Sequence, residues 1–126
     1  METKHGHDRM ILVALYEAIG TTLLTYCILV SSANPIAASL GLFSMILIFG
    51  DVTGGHYNPA VTLGVMIWQS FQHNPIKNLI LSFLMIVAQC LGAMAGALIS
   101  SFMLSVDGEV PEEYITILAP QNTVAT

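Results

Sequence analysis

Long apolar stretches alternate with short polar ones along the chain, and the interruptions carry as much information as the stretches. Met10 to about Ser31 is almost wholly apolar, with one carboxylate, Glu17, inside it. Ser31-Ser32-Ala33-Asn34-Pro35 is a tight connection in which Asn34 can cap a helix and Pro35 suits its first position. A second apolar run covers Ile36 to about Val52. Gly54, Gly55 and the approach to Pro59 break it, because glycine and a pre-proline residue both disfavour helix. Asn58-Pro59 then repeats the cap-and-first-position signal, but the helix it opens runs only to about Trp68. That is well short of the roughly 20 residues, at about 1.5 Å each, that cross a bilayer. Gln69 to Asn78 is polar, and from about Ile76 or Leu79 to Leu104 the chain is apolar again. Ser105 to Thr126 is acidic, then contains Pro, Asn and Thr without a helical period.

The pattern predicts an all-α membrane protein with three transmembrane helices, over about 10–31, 36–52 and 79–104, and one re-entrant loop and half-helix over 53–68. Residues 1–9 read as a tail on the cytoplasmic or an equivalent side, and 105–126 as an acidic segment on the opposite side. Composition agrees with this division. Of 126 residues 55% are hydrophobic and 9% charged, against about 25% charged in a soluble domain, and the deficit extends along most of the length. The lipid bilayer is thus the first partner, and the protein is read as integral and multi-pass. A net charge of -5 with three Lys and Arg in total argues against nucleic acid. Met10 to Val30 exceeds a signal-peptide core and lacks a small-residue cleavage site, so it reads as a retained span.

Charge sets an expected orientation. Lys4 and Arg9 precede the first span and Lys77 follows the half-helix. A cytoplasmic N-terminus puts all three on the cytoplasmic side, as the positive-inside bias favours, and puts Asp107, Glu109, Glu112 and Glu113 on the far side. Ala88, Gly92, Gly96 and Ser100, four apart on the third span, form a small-residue face suited to close helix packing.

Chemistry of other kinds finds little support. Cys27 and Cys90 lie in apolar segments, so a structural disulfide is not expected. His56 has no second ligand at a metal spacing, and His5 and His7 read as parts of a solvated tail. No nucleophile, carboxylate pair or metal set points to an enzyme, and no cofactor is expected. Trp68 and Tyr114 read as interfacial anchors.

The re-entrant segment is where chemistry concentrates. An unpaired backbone group in hydrocarbon costs several kcal/mol, so irregular backbone at that depth is buried in protein or lines water. Gly54 and Gly55 permit the turn and leave the backbone uncovered. The amide NH2 of a capping Asn58 can still donate to a passing polar molecule. A helix N-terminus at the midplane carries about half a positive charge, which raises the energy of a cation there and barely affects a neutral solute.

The run Gly54-Gly55-His56-Tyr57-Asn58-Pro59-Ala60-Val61-Thr62-Leu63-Gly64 resembles the first signature loop of aquaporins and glycerol facilitators, the major intrinsic protein family. Glu17-Ala18-Ile19-Gly20-Thr21 is similar to the family's first-helix motif, and Ala88-Gln89 with Gly92-Ala93 and Gly96 to its third-helix motif. Leu118-Ala119-Pro120 is similar to the end of the loop between the family's third and fourth helices. The resemblance covers nearly the whole chain, in order.

The resemblance implies a set of roles. Asn58, at the Asn-Pro-Ala triplet with Pro59 and Ala60, would donate to the permeating molecule. Carbonyls of Gly54, Gly55, His56 and Tyr57 would form an acceptor ladder on the cytoplasmic half of a pore. Glu17 would accept from the loop backbone and hold it. Leu24, Leu42 and Val61 would form the apolar wall opposite, and Ala38, or Leu40 after a register shift, would take the second-helix filter position. The half-helix dipole would help exclude cations and protons.

Family members carry two such loops on two inverted three-span repeats. Here the reading covers the first repeat only: no second Asn-Pro-Ala, no following Arg and no fifth-helix His are present. With about half a dozen polar backbone groups facing lipid at several kcal/mol each, the deficit would exceed a folding stability of about 5–15 kcal/mol, so a complement is expected. Three completions compete. A separate half-repeat gives a working channel for water or a small neutral solute. Two inverted copies are disfavoured by the positions of Lys4, Arg9 and Lys77. The alternative is a non-transporting accessory subunit of a larger membrane complex.

Overall fold

The computed structural model describes residues 2–71 and 75–106. They form four helices, α1 (Glu2–Val30), α2 (Pro35–Thr53), α3 (Pro59–Ser70) and α4 (Pro75–Val106), and no strand occurs among the described residues. Three segments are long and apolar enough to cross a membrane: Asp8–Val30, Pro35–Thr53 and Asn78–Ser105. The fourth apolar helix, Pro59–Gln69, is too short. The expected architecture is therefore observed, with one local difference. The first helix does not wait for Met10 but begins at Glu2, so the expected tail and its two histidines lie on helical backbone. Nothing between Glu2 and Arg9 is a helix breaker strong enough to stop the apolar run from propagating backwards; Gly6 alone weakens it by only about 1 kcal/mol. The acidic segment, Tyr114 and the Leu118-Ala119-Pro120 motif lie outside the described residues.

Both Asn-Pro pairs that open α2 and α3 act as the sequence suggests. Asn34 Oδ1 accepts from the Ile36 and Ala37 amides at 2.9 and 3.3 Å, with Pro35 at the first helical position. Before it, Ser32 (φ 53°) and Ala33 (φ 57°) take left-handed conformations that close α1, and the Ala33 amide donates to the Ile28 carbonyl at 2.8 Å. α2 ends on Gly54, at φ 88°, whose amide donates to the Gly50 carbonyl at 2.8 Å.

α1 is the hub. It packs against both α2 and α4, α3 packs against α4, and α2 and α3 stay apart. The neighbours thus run α2, α1, α4, α3 without closing into a ring. On the α1–α2 side, Tyr16 and Phe49 pack with ring centroids 5.1 Å apart. On the α1–α4 side the small-residue face of α4 is the contact. A Cβ on Gly92 would overlap the Ala18 carbonyl, and one on Gly96 the Thr22 carbonyl. Thr22 Oγ1 lies 2.8 Å from the Ala18 carbonyl and 3.0 Å from that of Gly92, so its single proton links the two backbones. Ser100 is buried in the same stripe and Ala88 half-buried.

The distribution of polarity is inverted relative to a water-soluble bundle. The largest fully buried side chains are Gln89, Glu17, Thr62 and Ser100, whereas Phe83 is 68% exposed and Leu98 70%. In lipid this is the lower-energy arrangement: apolar surface needs no burial, and polar side chains must find partners inside.

The close approach of α1 and α4 yields a stability prediction. Gly92→Val forces a branched side chain into the Ala18 carbonyl and should cost about 1–3 kcal/mol by overpacking. Leu98→Val, on the exposed face, should change stability much less. Unfolding of the two variants in bilayers or mild detergent compares them; equal stabilities would show that α1 does not need this approach.

Candidate functional site

Between α2 and α3 the backbone of Gly54 to Asn58 is irregular, and its shape follows from three left-handed residues. Gly54 (φ 88°) and Gly55 (φ 69°) take this region without steric cost, whereas Tyr57 (φ 45°) has a Cβ and does so under strain. Thr53 Oγ1 accepts from the Gly55 amide at 2.9 Å and starts the turn. Tyr57 is held at every part of its side chain. It is buried, its ring lies on Gly20 so closely that a Cβ there would overlap it, and its hydroxyl donates to the Met45 carbonyl at 2.9 Å.

Glu17 is wholly buried on α1 and reaches this loop. Its Oε1 accepts from the His56 amide at 3.1 Å, and its Oε2 from the Tyr57 amide at 2.7 Å and from Gln89 Nε2 at 2.7 Å. Two consecutive loop amides thus point at one carboxylate. Consecutive amides that face one way turn the intervening carbonyl away from it, toward the accessible side. None of the carbonyls of Gly54, Gly55, His56 and Tyr57 accepts a hydrogen bond from another described residue.

Gln89 and Thr62 extend the network. Gln89 Nε2 also donates to Thr62 Oγ1 at 2.8 Å, and Thr62 Oγ1 lies 3.1 Å from His56 Nδ1 and 3.2 Å from the Asn58 carbonyl. No buried side-chain nitrogen or oxygen among the described residues lacks a partner. The sequence reading assigned Gln89 only to a motif and gave Thr62 no role. Their signals were present nonetheless: a glutamine inside an apolar span needs a buried partner, and a threonine four residues after a helix cap lies over it.

Asn58 caps α3 from an extended conformation (φ −153°), with its Oδ1 accepting from the Ala60 amide at 2.8 Å and Pro59 following at the first helical position. The residue is exposed, and with Oδ1 engaged its NH2 is the group left to donate outward. Loop, cap and Glu17 therefore come together as one unit. The other sequence candidates are more dispersed. Leu24 is half-buried and lies near Gly41 of α2, whereas Leu42 (37%) and Val61 (45%) are exposed and Ala60 lies exposed in the first turn of α3. Ala38 sits in the first turn of α2, at the end remote from the loop, and Leu40 lines an open cavity of about 550 Å³ with Tyr26, Cys27 and Gly41. A smaller cavity of about 280 Å³ lies below the loop, lined by Arg9, Met10, Val13, Val52, Thr53 and Leu81. Among the described residues no group of three side chains is placed to hold a metal ion.

A family profile described as Major intrinsic protein matches residues 10–125. The chain is 44% identical over 64 residues to the probable aquaporin PIP2-7 of Oryza sativa subsp. japonica, covering 49% of this chain and 20% of that protein. It is 38% identical over 71 residues to aquaporin TIP2-3 of Arabidopsis thaliana, covering 56% and 26%. With aquaporin-4 of Mus musculus it shares 38% identity over 75 residues, covering 52% and 21%. The chain thus spans about a quarter or less of the length of these relatives. No solved structure matches it.

The Glu17 contacts set an expectation for substitution. Glu17→Gln keeps the size but replaces one acceptor oxygen with a donor that faces donors. Bonds to a charged acceptor contribute about 1.5–3 kcal/mol each, so the loss should be about 2 kcal/mol or more. Hydrogen exchange at the His56 and Tyr57 amides should quicken selectively; unchanged protection would mean that something else holds the loop.

Proposed function

The chain belongs to the major intrinsic protein family, and from that premise we propose that residues 10–104 form one half of an aquaporin-type channel. It passes water or a small neutral solute down its gradient once a second half-repeat completes the pore. One observation carries the reading: the carbonyls of Gly54 to Tyr57, which accept from no other described residue, lie beside an exposed Asn58 at the start of a half-span helix. At membrane depth those carbonyls are tolerable only if water or protein donors meet them. A file of water accepts from Asn58 Nδ2 and donates to the carbonyls, so it satisfies both sets at once. The partial positive charge at the N-terminus of α3 disfavours a cation at the same point while leaving a neutral molecule nearly unaffected.

The exposure of α3 supports the need for a complement. Among the described residues it packs on α4 alone, its Val61, Leu63, Ile67 and Trp68 are exposed, and a Cβ at Gly64 would meet nothing within 4 Å. A helix that starts at mid-depth cannot leave its first amides to lipid, so a second membrane-embedded half, on this polypeptide or another, covers this side. The positions of Lys4, Arg9 and Lys77 support an N-terminus on the cytoplasmic or equivalent side, as the positive-inside bias favours.

Osmotic swelling tests the proposal. Vesicles from membranes that contain the chain with its natural complement should swell faster than matched vesicles lacking the chain. Asn58→Asp replaces the donor with an acceptor; the loss of one hydrogen bond of about 1.4 kcal/mol along the solute path should slow swelling about tenfold. Swelling at the rate of vesicles without the chain would overturn the channel reading, and recovery of the chain only in a large multi-subunit particle would then support an accessory structural role. Unchanged swelling in Asn58→Asp would mean that the solute path avoids this residue.

A further inference from the structure

We propose that Thr62 is a positioning residue that fixes the His56 imidazole as its Nε2–H tautomer, and so places one proton donor among the loop's acceptors. The inference rests on the channel reading only for its consequence; the tautomer itself is argued from the hydrogen-bond order. The order begins at Glu17, whose carboxylate only accepts. Its bond to Gln89 at 2.7 Å fixes which end of that amide is nitrogen. The second proton of Gln89 Nε2 goes to Thr62 Oγ1 at 2.8 Å. Thr62 Oγ1 is thereby an acceptor on one side and has one proton to give.

Three acceptors compete for that proton: His56 Nδ1 at 3.1 Å, the Asn58 carbonyl at 3.2 Å and Gln89 Oε1 at 3.2 Å. Gln89 Oε1 belongs to the amide whose Nε2 already donates to the same Oγ1 at 2.8 Å, so the hydroxyl cannot align well with both ends of that amide at once. The Asn58 carbonyl already accepts from the Thr62 amide at 3.0 Å, as the first bond of α3. His56 Nδ1 has no such prior donor, and an imidazole nitrogen is the more basic acceptor. The shorter distance and the more basic acceptor favour donation from Thr62 to Nδ1, which leaves the ring proton on Nε2. The far edge of the ring lies over Gly54, where a Cβ would come 3.4 Å from Nε2. Gly54 is exposed and His56 half-buried, so this edge of the ring borders the exposed start of the loop.

For a permeating molecule, a ladder of carbonyls alone offers only acceptors until Asn58. An Nε2–H on His56 adds a donor two residues earlier. A water or hydroxyl solute that must reorient at Asn58 then meets a donor before it arrives. Thr62 touches no solute in this scheme. It acts through the imidazole, with Gln89 and Glu17 holding it in register.

Nitrogen-15 spectroscopy of the full chain with its natural complement in lipid bilayers, with histidine labelled in this chain, reads the tautomer directly and independently of any flux. The His56 signal is identified by its loss in His56→Gln. In the unaltered chain the ring should show a protonated Nε2 and an unprotonated Nδ1 that is in dipolar contact with the Thr62 hydroxyl. Thr62→Ser keeps the hydroxyl and should keep that signature. Thr62→Val removes it, and the two ring nitrogens should shift toward each other as the tautomers mix. A protonated Nδ1 in the unaltered chain, or an unshifted pair in Thr62→Val, overturns the proposal. If Thr62→Val does not insert, the unaltered chain and Thr62→Ser decide alone, since loss of the Nδ1 contact in either is sufficient to refute it. Failure of the swelling test with this signature intact would remove the channel reading and leave the positioning role of Thr62 standing.

Discussion

One carboxylate buried among helices accepts from two consecutive backbone amides, and the loop exists in its shape because of it. The stretch from Gly54 to Asn58 has no helix or sheet ladder of its own, so its amides need acceptors from elsewhere. Glu17 supplies them for His56 and Tyr57 from the middle of α1. A neutral side chain would satisfy one amide or the other less strongly, whereas a carboxylate takes both and has lone pairs left for Gln89. The charge is thereby dispersed over three donors, which is the usual condition for an ionised group inside a membrane protein. Tyr57 illustrates what this anchoring sustains. Its left-handed backbone would relax if the loop were loose, yet its amide, ring and hydroxyl are each engaged.

Much of this was legible in the sequence because the strongest signals were local. Asn34-Pro35 and Asn58-Pro59 mark helix starts by side-chain capping and by a missing N–H, and both operate within a few residues. The three membrane-length apolar segments begin and end within a few residues of the hydropathy boundaries, and the run after Pro59 forms a helix too short to cross a bilayer. The start of α1 was less legible. A handful of polar residues ahead of Met10 reads as a tail, but in the fold they extend a helix already nucleated by the apolar segment behind them.

What the sequence concealed was long-range. Glu17 was tied to the loop by resemblance, not by pattern, since 39 residues separate it from His56. Thr62 and Gln89 escaped notice as site residues because each looks ordinary in isolation: a threonine in an amphipathic half-helix and a glutamine in a span. Only when α3 lies on α4 do they meet each other and the imidazole. Gly20 is a similar case. A glycine in mid-helix suggests a helix–helix contact, whereas here its missing Cβ makes room for the ring of Tyr57.

Helix packing and loop geometry are one problem in this chain rather than two. Ala18 and Thr22 of α1 face Gly92 and Gly96 of α4, and the same interface holds Glu17, next to Ala18, and Gln89, three residues before Gly92. A 2.7 Å bond between Glu17 and Gln89 demands that the two backbones be close, and the glycines are what let them be. Separation of α1 from α4 would therefore lengthen the Glu17–Gln89 bond first. The orientation of Gln89 toward Thr62, and of Thr62 toward His56, would loosen next, since each side chain is fixed by the one before it. A side-chain network gives this coupling its direction: it is anchored at an acceptor that cannot donate, and it ends at a ring whose protonation is set by what reaches it. Substitutions in the small-residue stripe of α4 should thus alter the loop without touching it, because the loop reads the distance between α1 and α4 through Gln89.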